Sequence, residues 1–363
     1  MCNPIASIQP QESESADAFA ARLIEIGNNA ATALMISVGH RTGLFETLET
    51  MPSSSCEEVA ASAGLNQRYV REWLAAMAVS GIVVYEPVRQ TYRLPQEHAA
   101  FLTRAAAPDN LAVLMQYIAV LGSVEDEIVE CFERGGGVPY SKFERFHEVM
   151  AEDSGQVVET MLLEQVLPLV PGLTRKLETG IDVLDVGCGS GRAMIQLAET
   201  FPRSRFVGYD FSEEAIGRAQ AGAAEKGLLN IRFEVRDVTT LPEDECYDLV
   251  TTFDAIHDQA KPAQVLSAIR SALRPDGLYL MQDIAGSSRL EGNFDHPIAP
   301  LLYTISCMHC MTVSLAAGGE GLGTLWGEEL ALSMLDEARF GPVEVHQLAG
   351  DIQNSYYVSS PAA

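Results

Sequence analysis

At 363 residues, 47% of them hydrophobic, the chain has room for two domains and enough apolar side chains to build real cores. Its formal net charge of −26 at pH 7 makes a surface that repels phosphate backbones and anionic membranes, which argues against nucleic acid as the main partner. No basic stretch followed by an apolar run opens the sequence, no stretch of about 18 residues is uniformly apolar, and the seven cysteines are dispersed, so a cytoplasmic chain with free thiols and no membrane span is expected.

In chain order, residues 1–17 are polar and read as a flexible tail. Ala18 to Gly39 carries Ile24, Ala31, Leu34 and Val38 at helical spacing. Leu44 to Leu48 follows, and Ser53-Ser-Ser before Glu57 and Glu58 reads as a helix start, with Gly64 as its stop. Asn66 opens a further helix with Val70, Leu74 and Met77 on one face, ended by Gly81. Ile82 to Glu86 and Thr91 to Leu94 read as two short strands. Three helices and a hairpin predict a winged helix over residues 18–105.

Residues 106–175 read as a helical connector, broken at Gly135 to Pro139 and Pro168 to Pro171, that partly covers an active site. From Asp182 the chain alternates, with strands expected at 182–187, 205–210, 231–236, 247–252 and 277–283. Helices are expected near 191–200, 213–226 and 262–273. That order requires a parallel sheet with right-handed crossovers. Residues 286–326, rich in Gly and Ser at both ends, read as an inserted lid. A helix from Gly327 to Ala338 and a closing antiparallel pair at Val343–His346 and Tyr356–Ser359 complete a domain over 176–363.

The most informative run is Val183 to Gly191. An apolar strand holding Asp185 breaks into a turn with Gly187, Gly189 and Gly191, and a helix follows. A strand, a tight glycine turn and a helix N-terminus make a nucleotide-type site. Three further acidic positions fall at strand ends: Asp210, Asp237 beside Val238, and Asp254 after Phe253. In open α/β sheets this is the edge that binds ligands, and an acid about 20 residues past the glycines takes ribose hydroxyls.

The G-x-G-x-G spacing after an acid, unlike the G-x-G-x-x-G of NAD folds, resembles the first motif of class I S-adenosylmethionine (SAM) methyltransferases. The resemblance implies a Rossmann-like sheet of seven strands behind an N-terminal winged-helix domain, with SAM as cofactor and S-adenosylhomocysteine (SAH) as product. It implies that Gly187, Gly189 and Gly191 pass the methionine moiety, with Asp185 holding their turn. Asp210 is implied to bind both ribose hydroxyls, Phe211 to pack on adenine, Asp237 to accept from the adenine amino group beside Val238, and Phe253 and Asp254 to lie near the methionine end.

His257-Asp258 sharpens this. Winged-helix small-molecule O-methyltransferases, which the chain resembles over most of its length, carry His-Asp-Trp here, and their His is the general base. Gln259 stands in place of the Trp. The resemblance therefore implies His257 as base, with Asp258 beside it, methylating a small-molecule hydroxyl. A His with an ordinary pKa near 6.5 suits that role at neutral pH.

Cys307-Met-His-Cys310 offers an alternative, a thiol or metalloid methyltransferase. No second C-x-x-C accompanies it, and no metal site is expected. The winged helix offers Arg68, Arg71, Arg89 and Arg93 against Glu57, Glu58, Glu72 and Glu86, which is near neutral rather than a basic stripe. A SAM-responsive transcriptional regulator is thus the weaker alternative. By resemblance this domain forms a homodimer.

Overall fold

The structure, a computed structural model, describes residues 14–241 and 246–362. The chain forms two compact units, one ending at Val120 and the other starting at Leu121. The expected connector 106–175 is therefore divided between them. Of the expected tail, residues 1–13 lie outside the described residues, while Ala16 and Asp17 already belong to a helix.

The first unit opens with the helix Ala16–Thr42, longer at both ends than its periodicity indicated: Ser15 caps its start and Gly43, with φ of 72°, ends it. Helices Leu44–Thr50, Cys56–Ala63 and Gln67–Val79 follow. Ser55 and Glu58 form a reciprocal capping box, and Asn66 caps the last of these helices. Strands β1 (Ser54–Ser55), β2 (Val84–Glu86) and β3 (Thr91–Arg93) form a sheet in the order β1-β3-β2. β1 was not legible: two serines carry no alternation, and only their pairing with Thr91 and Tyr92 makes them a strand. Phe45, Leu48, Val70, Trp73, Leu74 and Met77 fill the core. The Trp73 indole donates to the Met35 carbonyl at 2.8 Å.

In the second unit, seven strands form one sheet: β4 (Asp182–Val186), β5 (Arg205–Asp210), β6 (Ile231–Val235), β7 (Tyr247–Phe253), β8 (Leu273–Ile284), β9 (Glu344–His346) and β10 (Asn354–Ser359). Their order is β6-β5-β4-β7-β8-β10-β9; β10 runs antiparallel to β8 and β9, and the other neighbours are parallel. Successive residues point to opposite faces, so Val183 and Phe206 enter one core while Leu184 and Val207 enter the other. The strand expected at 277–283 is longer: β8 starts at Leu273 and takes in Pro275, Asp276 and Gly277, with a register irregularity opposite Tyr247 and Leu249. Chain connections leave β4 towards β5 on one side and β7 on the other, which opens a crevice at their carboxyl ends.

The segment 286–326 is mostly helical rather than irregular. Ala299–Ile305, a π-helical turn Ser306–Cys310 and Met311–Ala316 run on without a break. Residues Ala299–Ala316 form an 18-residue helical run that is long and apolar enough, by length and composition alone, to cross a membrane. Here Leu302, Ile305, Cys310 and Val313 are buried in the domain.

Candidate active site

The crevice is built from the glycine turn outward. The Gly187 and Cys188 amides both donate to the Tyr209 carbonyl, at 2.8 and 3.0 Å, which hangs the turn on β5. Asp210, at the end of β5, accepts from the Gly189 amide at 2.9 Å through Oδ2 and from the Ser212 amide at 2.8 Å through Oδ1. One carboxylate thus ties the turn to the start of the helix Glu213–Glu225. Burial raises the Asp210 pKa, against the pull of those amides.

The three glycines serve different needs. All have positive φ, of 75°, 53° and 73°. A Cβ on Gly187 would lie 2.6 Å from that of Ala255, and one on Gly191 would lie 2.5 Å from the Phe233 ring. A Cβ on Gly189 would meet nothing within 4 Å. Gly187 and Gly191 therefore let elements of the domain approach one another, and Gly189 alone lies beside open space.

Asp185, Gly187, Gly189, Asp210, Phe211, Phe253, Asp254 and Asp258 come together around one pocket, walled on another side by Tyr140, Phe146, His147 and Met150. Part of the expected helical connector thus borders the crevice, while none of the lining residues comes from the expected lid. Gly191, Asp237, Val238 and His257 are not among the lining residues either. The Asp237 carboxylate folds back on its own turn, accepting from the Thr239 amide at 2.9 Å and hydroxyl at 2.7 Å, and Val238 is buried in the core. Phe211 is 57% exposed at the crevice rim, its ring 6.0 Å from that of Tyr140 in an edge-to-face arrangement.

Asp185 is buried and accepts from the Thr251 hydroxyl at 2.7 Å. Burial lifts its pKa to about 7, aided by the charge of Asp210 and opposed by the Thr251 hydroxyl. Asp254 holds a φ of 55°, uncommon outside glycine, and its amide donates to the Gln282 carbonyl at 2.9 Å.

His257 lies deeper than the residues that line the pocket. Its side chain is 1% exposed, with Nδ1 2.7 Å from Asp283 Oδ1 and Nε2 3.2 Å from Asp258 Oδ1. Burial alone would lower its pKa, but Asp283, Asp258 and Cys310 reverse this and hold it well above 6.5. His257 thus lies behind Asp258, whose own carboxyl is held at about 2: burial raises it, and His257 more than offsets this. Gln259, in the Trp position, donates to the Ala255 carbonyl at 3.0 Å and closes the turn locally.

Sequence reasoning missed Asp283, Tyr140 and His147. Asp283 Oδ1 also accepts from the Trp326 indole at 3.0 Å, and Tyr140 and His147 share a hydrogen bond of 3.1 Å. The available signal for Asp283 was an acid near the end of the mostly apolar strand Leu278 to Ile284. The described cysteines are all free thiols.

Residues 30–104 match the family model described as an Rv2258c-like winged HTH domain, and residues 177–330 match that of a methyltransferase domain. A trans-aconitate 2-methyltransferase of Variovorax paradoxus is 34% identical over 101 residues, 28% of this chain and 37% of that protein. The chain spans only 30% to 44% of the length of the curated relatives it matches. Among solved structures, mitomycin 7-O-methyltransferase aligns with a TM-score of 0.69 at 16% identity, covering 95% of this chain and 98% of that one. Human N-acetylserotonin methyltransferase in complex with SAM aligns with a TM-score of 0.68 at 16% identity, over 99% and 100% of the two chains.

Proposed function

We propose that this chain, which joins an N-terminal winged-helix domain to a methyltransferase domain of the class I fold, transfers a methyl group from SAM to a hydroxyl of a small-molecule acceptor. The observation that carries this reading is the Asp210 carboxylate, held by the Gly189 and Ser212 amides at the crevice where the strand order reverses.

The residues fit the cofactor. Five acids, Asp185, Asp210, Glu214, Asp254 and Asp258, outnumber the two arginines, Arg192 and Arg218, that line the pocket and favour a ligand that carries positive charge. Gly189 leaves the turn without a side chain beside the space. When bound, SAM supplies a methyl group already activated on a sulfonium, so the protein's task is mainly positioning. Asp210 would take the ribose hydroxyls, Phe211 would pack on the adenine, and the glycine turn with Asp185, Phe253 and Asp254 would hold the methionine end. Asp258, with His257 behind it, would accept the hydrogen bond of the acceptor hydroxyl and take up its proton as the oxygen–carbon bond forms and the carbon–sulfur bond breaks. His257, anchored on Asp283, neutralises Asp258. Tyr140, Phe146 and Met150 exclude water from that wall.

The test is turnover. Purified protein given SAM and a panel of phenols, carboxylic acids and thiols is expected to form SAH with a hydroxyl-bearing member. A folded protein that binds neither SAM nor SAH would sink the reading. Methylation of thiols only would remove the hydroxyl.

The same reading makes the protein a homodimer. The helix Ala16–Thr42 exposes Phe19, Leu23, Ile24 and Ile26 to between 44% and 69%, a row of apolar side chains suited to a second copy. Light scattering is expected to give twice the chain mass, and a single-chain mass would exclude the dimer.

A further inference from the structure

Cys310, from a motif with no part in the proposed methyl transfer, lies behind the pocket. The π-helical turn Ser306–Cys310 brings it against the His257-Asp258 pair, and π turns inside helices recur at functional sites. A ring nitrogen of His257, a carboxylate oxygen of Asp258 and the Cys310 sulfur all lie within 4.8 Å of one another. We propose that His257, Asp258 and Cys310 bind a divalent cation of the zinc type at the inner wall of the pocket, with an open fourth position for an anionic oxygen or sulfur of the acceptor.

The donor set carries this chemistry. Thiolate, imidazole and carboxylate together suit zinc, and three protein ligands with one open position are the pattern of catalytic rather than structural zinc. The surroundings are built for it. A metal-binding His passes its other ring N–H to a carboxylate that fixes its orientation. His257 Nδ1 does this to Asp283 at 2.7 Å, and Asp283 is itself held by the Trp326 indole at 3.0 Å. That leaves His257 Nε2 towards Asp258 Oδ1 at 3.2 Å, with Cys310 on the same carboxylate.

A second imidazole adds to the case. His309 is fully buried, both its ring nitrogens lack hydrogen-bond partners, and it is near enough to Asp258 to act on its ionisation. Native folds rarely leave such groups unsatisfied. Asp258 also lines the pocket, so a cation held there would be open to the acceptor. On binding, the Cys310 thiol and the His257 imidazolium each release one proton, and the cation takes their lone pairs. The sequence pointed instead to Cys307 with Cys310, but the structure groups Cys310 with residues some fifty positions earlier.

The site deepens the methyl-transfer reading by naming what the acceptor end contains, yet it is tested without SAM, so either can fail alone. Metal-free protein is titrated with cobalt(II) and followed by its thiolate-to-cobalt absorption. One equivalent is expected to saturate the band. Cys310→Ser is expected to abolish it, Cys307→Ser to keep it, and Asp283→Asn to weaken binding by roughly 10- to 100-fold. Circular dichroism checks that the variants fold, and Asp258→Asn, also expected to weaken binding, serves if Cys310→Ser does not. No thiolate band in the parent protein would overturn the proposal. So would a band that survives Cys310→Ser or vanishes in Cys307→Ser.

Discussion

Replacing Asp210 with Ala is expected to weaken SAM and SAH binding by about 100-fold or more in calorimetry, because two charge-assisted hydrogen bonds of roughly 1.5–3 kcal/mol each disappear. The loss has two sources. The carboxylate that would take the ribose hydroxyls is gone, and so is the acceptor that holds the Gly189 and Ser212 amides at 2.9 and 2.8 Å. Asp210→Asn separates them: it keeps one oxygen for the amides but lacks the charge, so an intermediate loss is expected. An Ala variant that folds and binds within a few-fold of the parent would remove Asp210 from the cofactor site.

The same titration carries a pH dependence from Asp185, whose pKa burial raises to about 7. Below that value the group is mostly neutral, and a positively charged ligand must displace its proton on binding; above it the carboxylate is already formed. Affinity for SAM is therefore expected to rise from about pH 6 to about pH 8 and then level off, with proton release at the low end. Asp185→Asn is expected to flatten this rise. A steep rise that survives in Asp185→Asn would assign it to another group.

Gly191→Ala is expected to destabilise the second unit by about 3 kcal/mol or more, a Tm fall of roughly 6–12 °C. The residue holds a φ of 73°, and the added methyl would lie 2.5 Å from the Phe233 ring and 2.9 Å from the Ala219 Cβ. Both neighbours belong to packed elements, so neither yields cheaply. Gly189→Ala gives the contrast. Its φ of 53° costs about 1 kcal/mol in a non-glycine residue, but the methyl meets nothing within 4 Å. That variant is expected to keep its fold and lose affinity for SAM. Equal Tm values for the two variants would show that the glycines are not divided between packing and binding.

The sequence by itself determined the local features: the strand into the glycine turn at Asp182–Val186, the caps at Ser55, Asn66 and Ser212, and Asp210 at a strand end. Each follows from a period, a cap or a φ that only glycine adopts readily, and these act over a few residues. The tertiary structure decided what each polar group faces. Asp237 and Asp258 read alike as acids past strand ends, yet Asp237 closes its own turn and Asp258 lines the pocket. His257 read only as a neighbour of Asp258, but Asp283, 26 positions away on β8, takes its Nδ1. β1 exists only through its partner strand, and the segment 286–326 became packed helix because its apolar residues found the core. The reason is common to all of these. Ionisation and hydrogen bonding are set by burial and by groups that other elements bring within a few ångströms, and no local pattern encodes which groups those are.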